Sequence, residues 1–329
     1  MIHGFYRSLR NDNSLENFGL FLNGEPSGIW WRSLTGGGYF FGKLNTKLQF
    51  DGTENGFLYP DLETLLVGAF ENDVMLIASE RSLENISVSD YGILVPRYSE
   101  PRPNAFQFYL EKTQYDVINE LFDTDICKEP TIPDPYESKL VEVKTSLIED
   151  AGEGLFARQN IKQGKVVAYF NGIRTSSENY TKSSDYSIST SQPVSLSKMP
   201  NSSTESYKVS ESKSSENVIM FDIPEEYRST EKYCATLAHK ICHSFQPNAI
   251  YHYAFHPRFG LIRSAVASRD ILPGEEITCD YKYSIHKHPP DWYMKCLKKH
   301  LMDVMKLKED DIKSIYNDFH PNLITVLDN

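Results

Sequence analysis

Across residues 1–80 apolar and polar positions alternate and glycine punctuates the pattern, which predicts short antiparallel strands. Three stretches repeat a related order: Gly19-Leu-Phe-Leu-Asn-Gly-Glu-Pro-Ser-Gly28 leading to Trp30, Gly42-Lys-Leu running on to Asn55-Gly-Phe-Leu-Tyr-Pro-Asp61, and Val67-Gly-Ala-Phe-Glu-Asn-Asp73. Gly19, Gly42 and Gly68 recur at intervals of roughly 25 residues, the length of a hairpin that buries one face on the next. Residues 81–136 mix shorter signals, with Gln107-Phe-Tyr-Leu110 strand-like and a helical run near Tyr115 to Phe122. Pro130, Pro133 and Pro135 exclude helix, so this stretch reads as a stiff extended linker and a domain boundary.

Beyond Leu140 strands dominate: Val141-Glu-Val-Lys144, Lys165-Val-Val-Ala-Tyr-Phe170, Val218-Ile-Met-Phe221, Gly260-Leu-Ile-Arg263 and Glu276-Ile-Thr-Cys-Asp-Tyr281. The run from Tyr233 to His243 is predicted to be helical before the irregular His243-Ser-Phe-Gln-Pro-Asn248. Residues 175–216 are rich in Ser and Lys and lack periodicity, so they read as a mobile insertion within a domain spanning 137–293. In the extension 294–329, Leu297, Leu301, Val304 and Met305 share one helical face, and a second helix is predicted from Asp310.

A chain of 329 residues has length enough for real cores. Its net charge of −11 argues against direct nucleic-acid binding and suits a basic peptide partner, although acidity also simply maintains solubility. No apolar run reaches membrane-spanning length, and the opening Met1-Ile-His-Gly-Phe-Tyr-Arg7 lacks a secretory signal pattern. Cys127, Cys234, Cys242, Cys279 and Cys296 form no CxxC pair, which argues against a zinc ribbon or disulfide framework and for a reducing compartment.

Gly152-Glu-Gly-Leu-Phe-Ala157 formally fits a dinucleotide fingerprint, but Gly164 and a Val-rich strand follow too soon for the crossover helix that fingerprint requires. Tyr281 and Tyr283 lie two apart at a predicted strand end and so point the same way. Such a pair is ordinarily packing; in a site it walls an apolar channel.

Taken in order, Ala151-Gly-Glu-Gly-Leu-Phe156, the run from Tyr233 to Asn248, and Gly274-Glu-Glu-Ile-Thr-Cys-Asp-Tyr-Lys-Tyr283 resemble the SET domain, a lysine methyltransferase fold that uses S-adenosylmethionine. The glycine repeats resemble MORN repeats, although any glycine-rich meander shares part of that pattern. Ile132-Pro-Asp-Pro-Tyr-Glu-Ser138, His256-Pro-Arg-Phe-Gly260 and Pro290-Asp-Trp-Tyr293 are similar to the branch of the family that combines both and acts on histone H3 and other proteins. The resemblance runs from Pro133 to Tyr293 and only weakly into the repeats. It implies a mainly β chain: a MORN-like antiparallel hairpin solenoid, then a SET β-fold with a threaded, pseudoknotted C-terminal segment and C-terminal helices.

The same resemblance implies that Gly152, Glu153, Gly154, Leu155, Cys242, His243 and Trp292 hold S-adenosylmethionine, though a buried aromatic of the core is an equal reading of Trp292. It makes Tyr281 the catalytic tyrosine and places Tyr283, Tyr251 and Phe170 along the lysine channel. It implies a lysine-containing protein substrate, such as a histone tail, and a location in the nucleus or cytoplasm, chromosomes included. The expected protein is a monomer with no metal and no direct nucleic-acid or membrane contact.

Three positions depart from the family. Cys242 replaces an Asn, Phe170 replaces a Tyr, and Cys296 stands where an acid is expected after Trp292. A thiol is a weaker donor and acceptor than a carboxamide, and one lost contact to a charged ligand costs about 1–3 kcal/mol, roughly ten- to a hundredfold in affinity. Two readings therefore stay open: a methyltransferase, and a non-catalytic SET protein that binds basic peptides. A lipid or cytoskeletal adaptor built on the repeats is opposed by their scarcity of clustered Lys and Arg.

Overall fold

The computed structural model describes residues 3–9, 15–101, 107–109, 126–127, 129–176, 186–189, 219–283 and 289–308. The N-terminal half is one antiparallel sheet of β1 (Gly4–Leu9), β2 (Leu15–Leu22), β3 (Glu25–Ser33), β4 (Tyr39–Gly42), β5 (Gly52–Leu58), β6 (Thr64–Glu71), β7 (Val74–Val88) and β8 (Leu94–Tyr98), paired in sequence order. A short β9 (Gln107–Tyr109) pairs with β7 off that path. Each repeat glycine lies in a strand, Gly19 in β2, Gly42 at the end of β4 and Gly68 in β6, close beneath the strand that follows. A Cβ on Gly19 would stand 2.1 Å from the Trp30 ring, and one on Gly68 would stand 1.8 Å from the Ile77 carbonyl oxygen, so neither position admits a side chain. Phe40 meets Phe70 edge to face at 5.0 Å, and Phe21 meets Trp30 likewise at 5.0 Å.

The proline stretch expected to be an extended linker is folded into the core. Pro130 and Thr131 sit in a turn, Asp134 and Tyr136 are buried, and α1 (Glu137–Leu140) begins two residues after Pro135. Asp134 explains this. Its Oδ2 accepts the Tyr59 hydroxyl at 2.5 Å and lies 2.9 Å from His256 Nε2, while Oδ1 accepts the Tyr136 and Glu137 amides. One carboxylate thus joins the N-terminal sheet, the proline stretch and the second half of the chain.

That half contains β10 (Val141–Thr145), β11 (Glu153–Ala157), β12 (Val166–Phe170), β13 (Ile173–Ser176), β14 (Ser187–Ser189), β15 (Ile219–Asp222), β16 (Cys242–His243), β17 (Ala249–His256), β18 (Gly260–Ala267), β19 (Glu276–Cys279) and α2 (Asp291–Asp303). Its main sheet runs β10-β11-β19-β17-β18-β12, so the last strand in sequence enters the middle. There β19 also pairs in parallel with β16, Cys242 opposite Thr278 and His243 opposite Cys279. This insertion of a late strand among earlier ones is the threaded core expected of the fold. The two halves share one apolar cluster, with Phe40, Phe57 and Tyr59 packed alongside Tyr169, Ala254 and Ile262.

Local expectations changed in four places. The run from Tyr233 is not a helix. It makes one 3-10 turn, Ala238–Lys240, because its amides find partners outside the run: Leu237 N–H donates to Glu137, and Cys234 and Ala235 N–H donate to the Pro130 carbonyl. Part of the serine-rich insertion is ordered, since β14 pairs with β15 and β15 with β13; the rest of that insertion lies outside the described residues. The helix after Trp292 begins at Asp291, and Val304 and Met305 fall beyond it, exposed. β19 ends at Cys279, and Lys282 has φ 52°, so Tyr281 and Tyr283 belong to irregular chain beyond the strand. The helical runs near Tyr115 and from Asp310 lie outside the described residues. Among the described residues no helix is long and apolar enough to cross a membrane.

Candidate active site

The 3-10 turn at Ala238–Lys240 organises the channel side. Tyr251, on β17, donates its hydroxyl to the Ala238 carbonyl at 3.2 Å, and Tyr281 donates to the Ile241 carbonyl at 2.6 Å. Burial raises both hydroxyls well above the ordinary tyrosine value, so both stay protonated and donate. The Phe170 ring, at the end of β12, meets Tyr251 edge to face at 6.3 Å. Tyr283 meets Tyr281 at 6.1 Å, and Trp292, from α2, lies edge-on to both at 6.0 Å. The five aromatic positions singled out in the sequence therefore converge, although they come from four separate segments.

The other side is built from main chain and charge. Gly152 turns with φ 74° and faces open space, where a Cβ would meet nothing. At Gly154 a Cβ would lie 2.3 Å from Glu276 Oε1, so this glycine makes room for a carboxylate of the protein itself. That carboxylate accepts the Ser146 hydroxyl at 2.6 Å and the Leu147 amide at 2.8 Å. Leu155 is fully buried in the core, opposite Ile277. Cys242 is buried and donates its thiol to the Glu153 carbonyl at 3.4 Å; burial pushes that thiol up to about 11, so it stays neutral.

His243 lies where the two sides meet. Its Nδ1 accepts the Tyr281 amide at 3.2 Å, which assigns the proton of the neutral ring to Nε2. Burial lowers its pKa, with Asp280 opposing, and Nε2 is buried without a hydrogen-bond partner. Phe245, Tyr281, Trp292 and Tyr293 surround the ring, at 4.4 to 5.9 Å. Asn248, the end of the same motif, is structural: it donates to the Glu276 carbonyl at 2.8 Å and accepts the Thr278 amide at 2.8 Å, bracing β19.

Sequence reasoning passed over two neighbours. Lys240 is almost fully buried, with its ammonium 2.6 Å from Glu153 Oε2 and a further bond to the Arg228 carbonyl. Its position three residues before His243 offered no signal, because a lysine reads as solvated until its partner across the fold is known. Tyr293 is more deeply buried than Trp292 and packs on His243 at 4.8 Å. Its place on the inner face of α2 was legible in the helical spacing.

A late strand inserted in the sheet, a cluster of aromatic rings on one side and a glycine turn on the other are thus brought together. The SET domain family matches residues 152–282, and a family described as Histone H3 K4-specific methyltransferase SET7 N-terminal matches residues 21–91. Histone-lysine N-methyltransferase SETD7 of Halocynthia roretzi is 31% identical over 287 residues, which is 85% of this chain and 67% of that relative. The chain belongs to the SET-domain lysine methyltransferase family. Among solved structures it aligns with ctPRC2 in an autoinhibited conformation bound to S-adenosylmethionine, at 19% identity and a TM-score of 0.28, over 49% of this chain and 17% of that one. It also aligns with KRYPTONITE in complex with mCHH DNA, H3(1-15) peptide and SAH, at 18% identity and a TM-score of 0.29, over 46% of this chain and 25% of that one. This chain thus spans a quarter or less of either solved chain.

Proposed function

We propose that this protein transfers methyl groups from S-adenosylmethionine to the ε-amine of a lysine in a protein substrate. The observation that carries this reading is the convergence of the Tyr251 and Tyr281 hydroxyls, each tied to a main-chain carbonyl, within an aromatic enclosure that adjoins an open glycine turn.

The residues fit the cofactor. His243 Nε2 is a buried polar atom without a protein partner, at the junction where a ligand group would complete it. Gly152, Glu153, Cys242, His243 and Trp292 would hold S-adenosylmethionine, with Leu155 supporting the floor from the core. When bound, it supplies an electrophilic methyl group. The chain's own part is positional. Phe170, Tyr283 and Trp292 exclude water, which favours the neutral lysine amine. Tyr251 and Tyr281 offer oxygen atoms held rigidly in place, which orient that amine. Tyr281 has the central role because its amide is bonded to His243 and its hydroxyl to the turn, so it registers one side against the other.

Histone H3 is the first substrate to test, because the relative is a histone-lysine methyltransferase and the matching N-terminal family is described as specific for H3. The net charge of −11 suits a basic tail. Calorimetric titration with S-adenosylmethionine comes before any activity assay, since a silent assay also follows from a wrong peptide. Micromolar binding followed by a mass gain on an H3 tail peptide supports the reading. Absent binding, restored by Cys242→Asn, would instead favour the second reading, a SET scaffold that holds basic peptides without chemistry; Cys242 is the observation on its side.

A further inference from the structure

Among the described residues β12 is the last strand of the second sheet, so one row of its backbone groups has no neighbouring strand there. Side chains take up that row. The Tyr136 hydroxyl donates to the Val166 carbonyl at 2.5 Å, Glu137 Oε1 accepts the Tyr169 amide at 2.5 Å, and Thr236 Oγ1 accepts the Asn171 amide at 3.2 Å. Glu137 makes the wider connection. The same Oε1 accepts the Leu237 amide at 3.2 Å, one residue before the carbonyl that holds Tyr251. One oxygen atom therefore joins the strand that ends in Phe170 to the turn that anchors Tyr251 and Tyr281. Upstream, the Glu137 amide is held by Asp134, which also accepts Tyr59 from the N-terminal sheet.

We propose that Glu137 is a positioning residue for the lysine channel, a clamp on the Tyr169 and Leu237 amides that sets the distance between the Phe170 wall and the two tyrosine hydroxyls. The effect on turnover rests on the methyltransferase reading; the clamp does not. Glu137 is fully buried, and its second oxygen has no partner. Burial, reinforced by the charge of Asp134, raises its pKa well above the usual carboxylate range, with the two amides and the charge of Arg258 opposing. A neutral side chain with one strong acceptor meets the requirement, so glutamine can substitute. Aspartate is too short to reach both amides, and alanine has no acceptor.

The wild-type chain of 329 residues is compared with Glu137→Gln, Glu137→Asp and Glu137→Ala in three measurements: hydrogen exchange at the Tyr169 and Leu237 amides, calorimetric affinity for S-adenosylmethionine, and KM and kcat on an H3 tail peptide. Alanine and aspartate are expected to speed exchange at those two amides by about tenfold or more relative to the β17–β18 pairing. They should raise the peptide KM by about tenfold while cofactor affinity stays within about threefold. Glutamine is expected to restore all three. Should the alanine variant fail to fold, aspartate carries the same test. The proposal is overturned if both amides keep wild-type protection in a folded alanine or aspartate variant, or if glutamine behaves like alanine. A loss of melting temperature with an unchanged peptide KM would also overturn it. If the wild type neither binds cofactor nor methylates peptide, the methyltransferase reading fails and the exchange measurement alone decides the clamp.

Discussion

The two sides of the site hold their shape by different means. The channel side consists of rings whose hydroxyls are already satisfied by the chain, Tyr251 on Ala238 and Tyr281 on Ile241. The cofactor side consists of a glycine turn, a thiol bonded to a carbonyl, a buried lysine paired with a half-exposed carboxylate, and a histidine nitrogen with no partner. The first is organised by the chain alone, whereas the second keeps an unpartnered nitrogen that the proposed cofactor would complete. Changes on the channel side should therefore appear in peptide KM, kcat and product, and changes on the cofactor side in cofactor affinity.

The most severe way to break this division is Tyr281→Phe. It frees the Ile241 carbonyl and removes the oxygen that orients the amine. The expected loss in kcat is about a hundredfold or more, comparable to deleting one preorganised polar group from an active site. Cofactor affinity should stay within about threefold, because the backbone bond to His243 remains. Full activity would remove Tyr281 from its assigned role, and a matching fall in affinity would show that the two sides are not separate.

His239 offers the next effect, on stability. It sits in the channel turn between the Tyr186 and Tyr233 rings, buried, with neither ring nitrogen in a hydrogen bond of good geometry. Burial first, and the charge of Lys240 second, lower its pKa from 6.5 to about 3, with the Thr236 backbone opposing. A folded-state value below the unfolded one means that the unfolded chain takes up the proton first. The contribution of His239 to stability should therefore fall as pH drops below 6.5, by about 1.4 kcal/mol per pH unit, until the folded value is reached. His239→Phe should flatten the melting temperature between pH 7 and pH 5. His256, also held below its ordinary value by burial, contributes a slope of the same sign and Glu137, held above its ordinary value, one of the opposite sign, so the difference between variant and wild type is what is read. An unchanged pH profile would show that the histidine is paired in solution.

On the cofactor side the corresponding change is Cys242→Asn. The thiol spends its single weak donor on Glu153, whereas a carboxamide keeps that bond and adds polar capacity toward a ligand. Affinity for S-adenosylmethionine should tighten by about tenfold. An unchanged affinity would mean that backbone groups alone hold the cofactor and that the side chain at this position is silent.

The sequence carried the strands and the roster of the site further than it carried the geometry that joins them. Runs of strand-forming residues located β10, β12, β15, β18 and β19, because that signal is local to each segment. The repeat glycines marked strands of one meander for a nearly local reason, a neighbouring strand too close for a side chain. What was hidden depends on partners distant in the chain. Tyr233 to His243 looked helical because nothing local reveals that Glu137 and Pro130 take its amides. Nothing local marked Glu137 or Lys240 as buried, for the same reason, and nothing local showed that Gly154 lies beside Glu276.

Phe170→Tyr is the smallest change and the sharpest probe of the channel side. The ring is buried and meets Tyr251 edge to face, so a hydroxyl on it would have to enter the enclosure or find a new partner at the edge of β12. In the enclosure it would add both volume and a polar contact beside the amine, which hinders a lysine that already carries a methyl group more than a bare one. The overall rate should therefore change by no more than about threefold, while mass spectrometry of the peptide product shifts toward fewer methyl groups. If neither rate nor product distribution moved in an active preparation, Phe170 would be a core residue behind the channel. The wall that Glu137 holds would then lie one layer away from the chemistry.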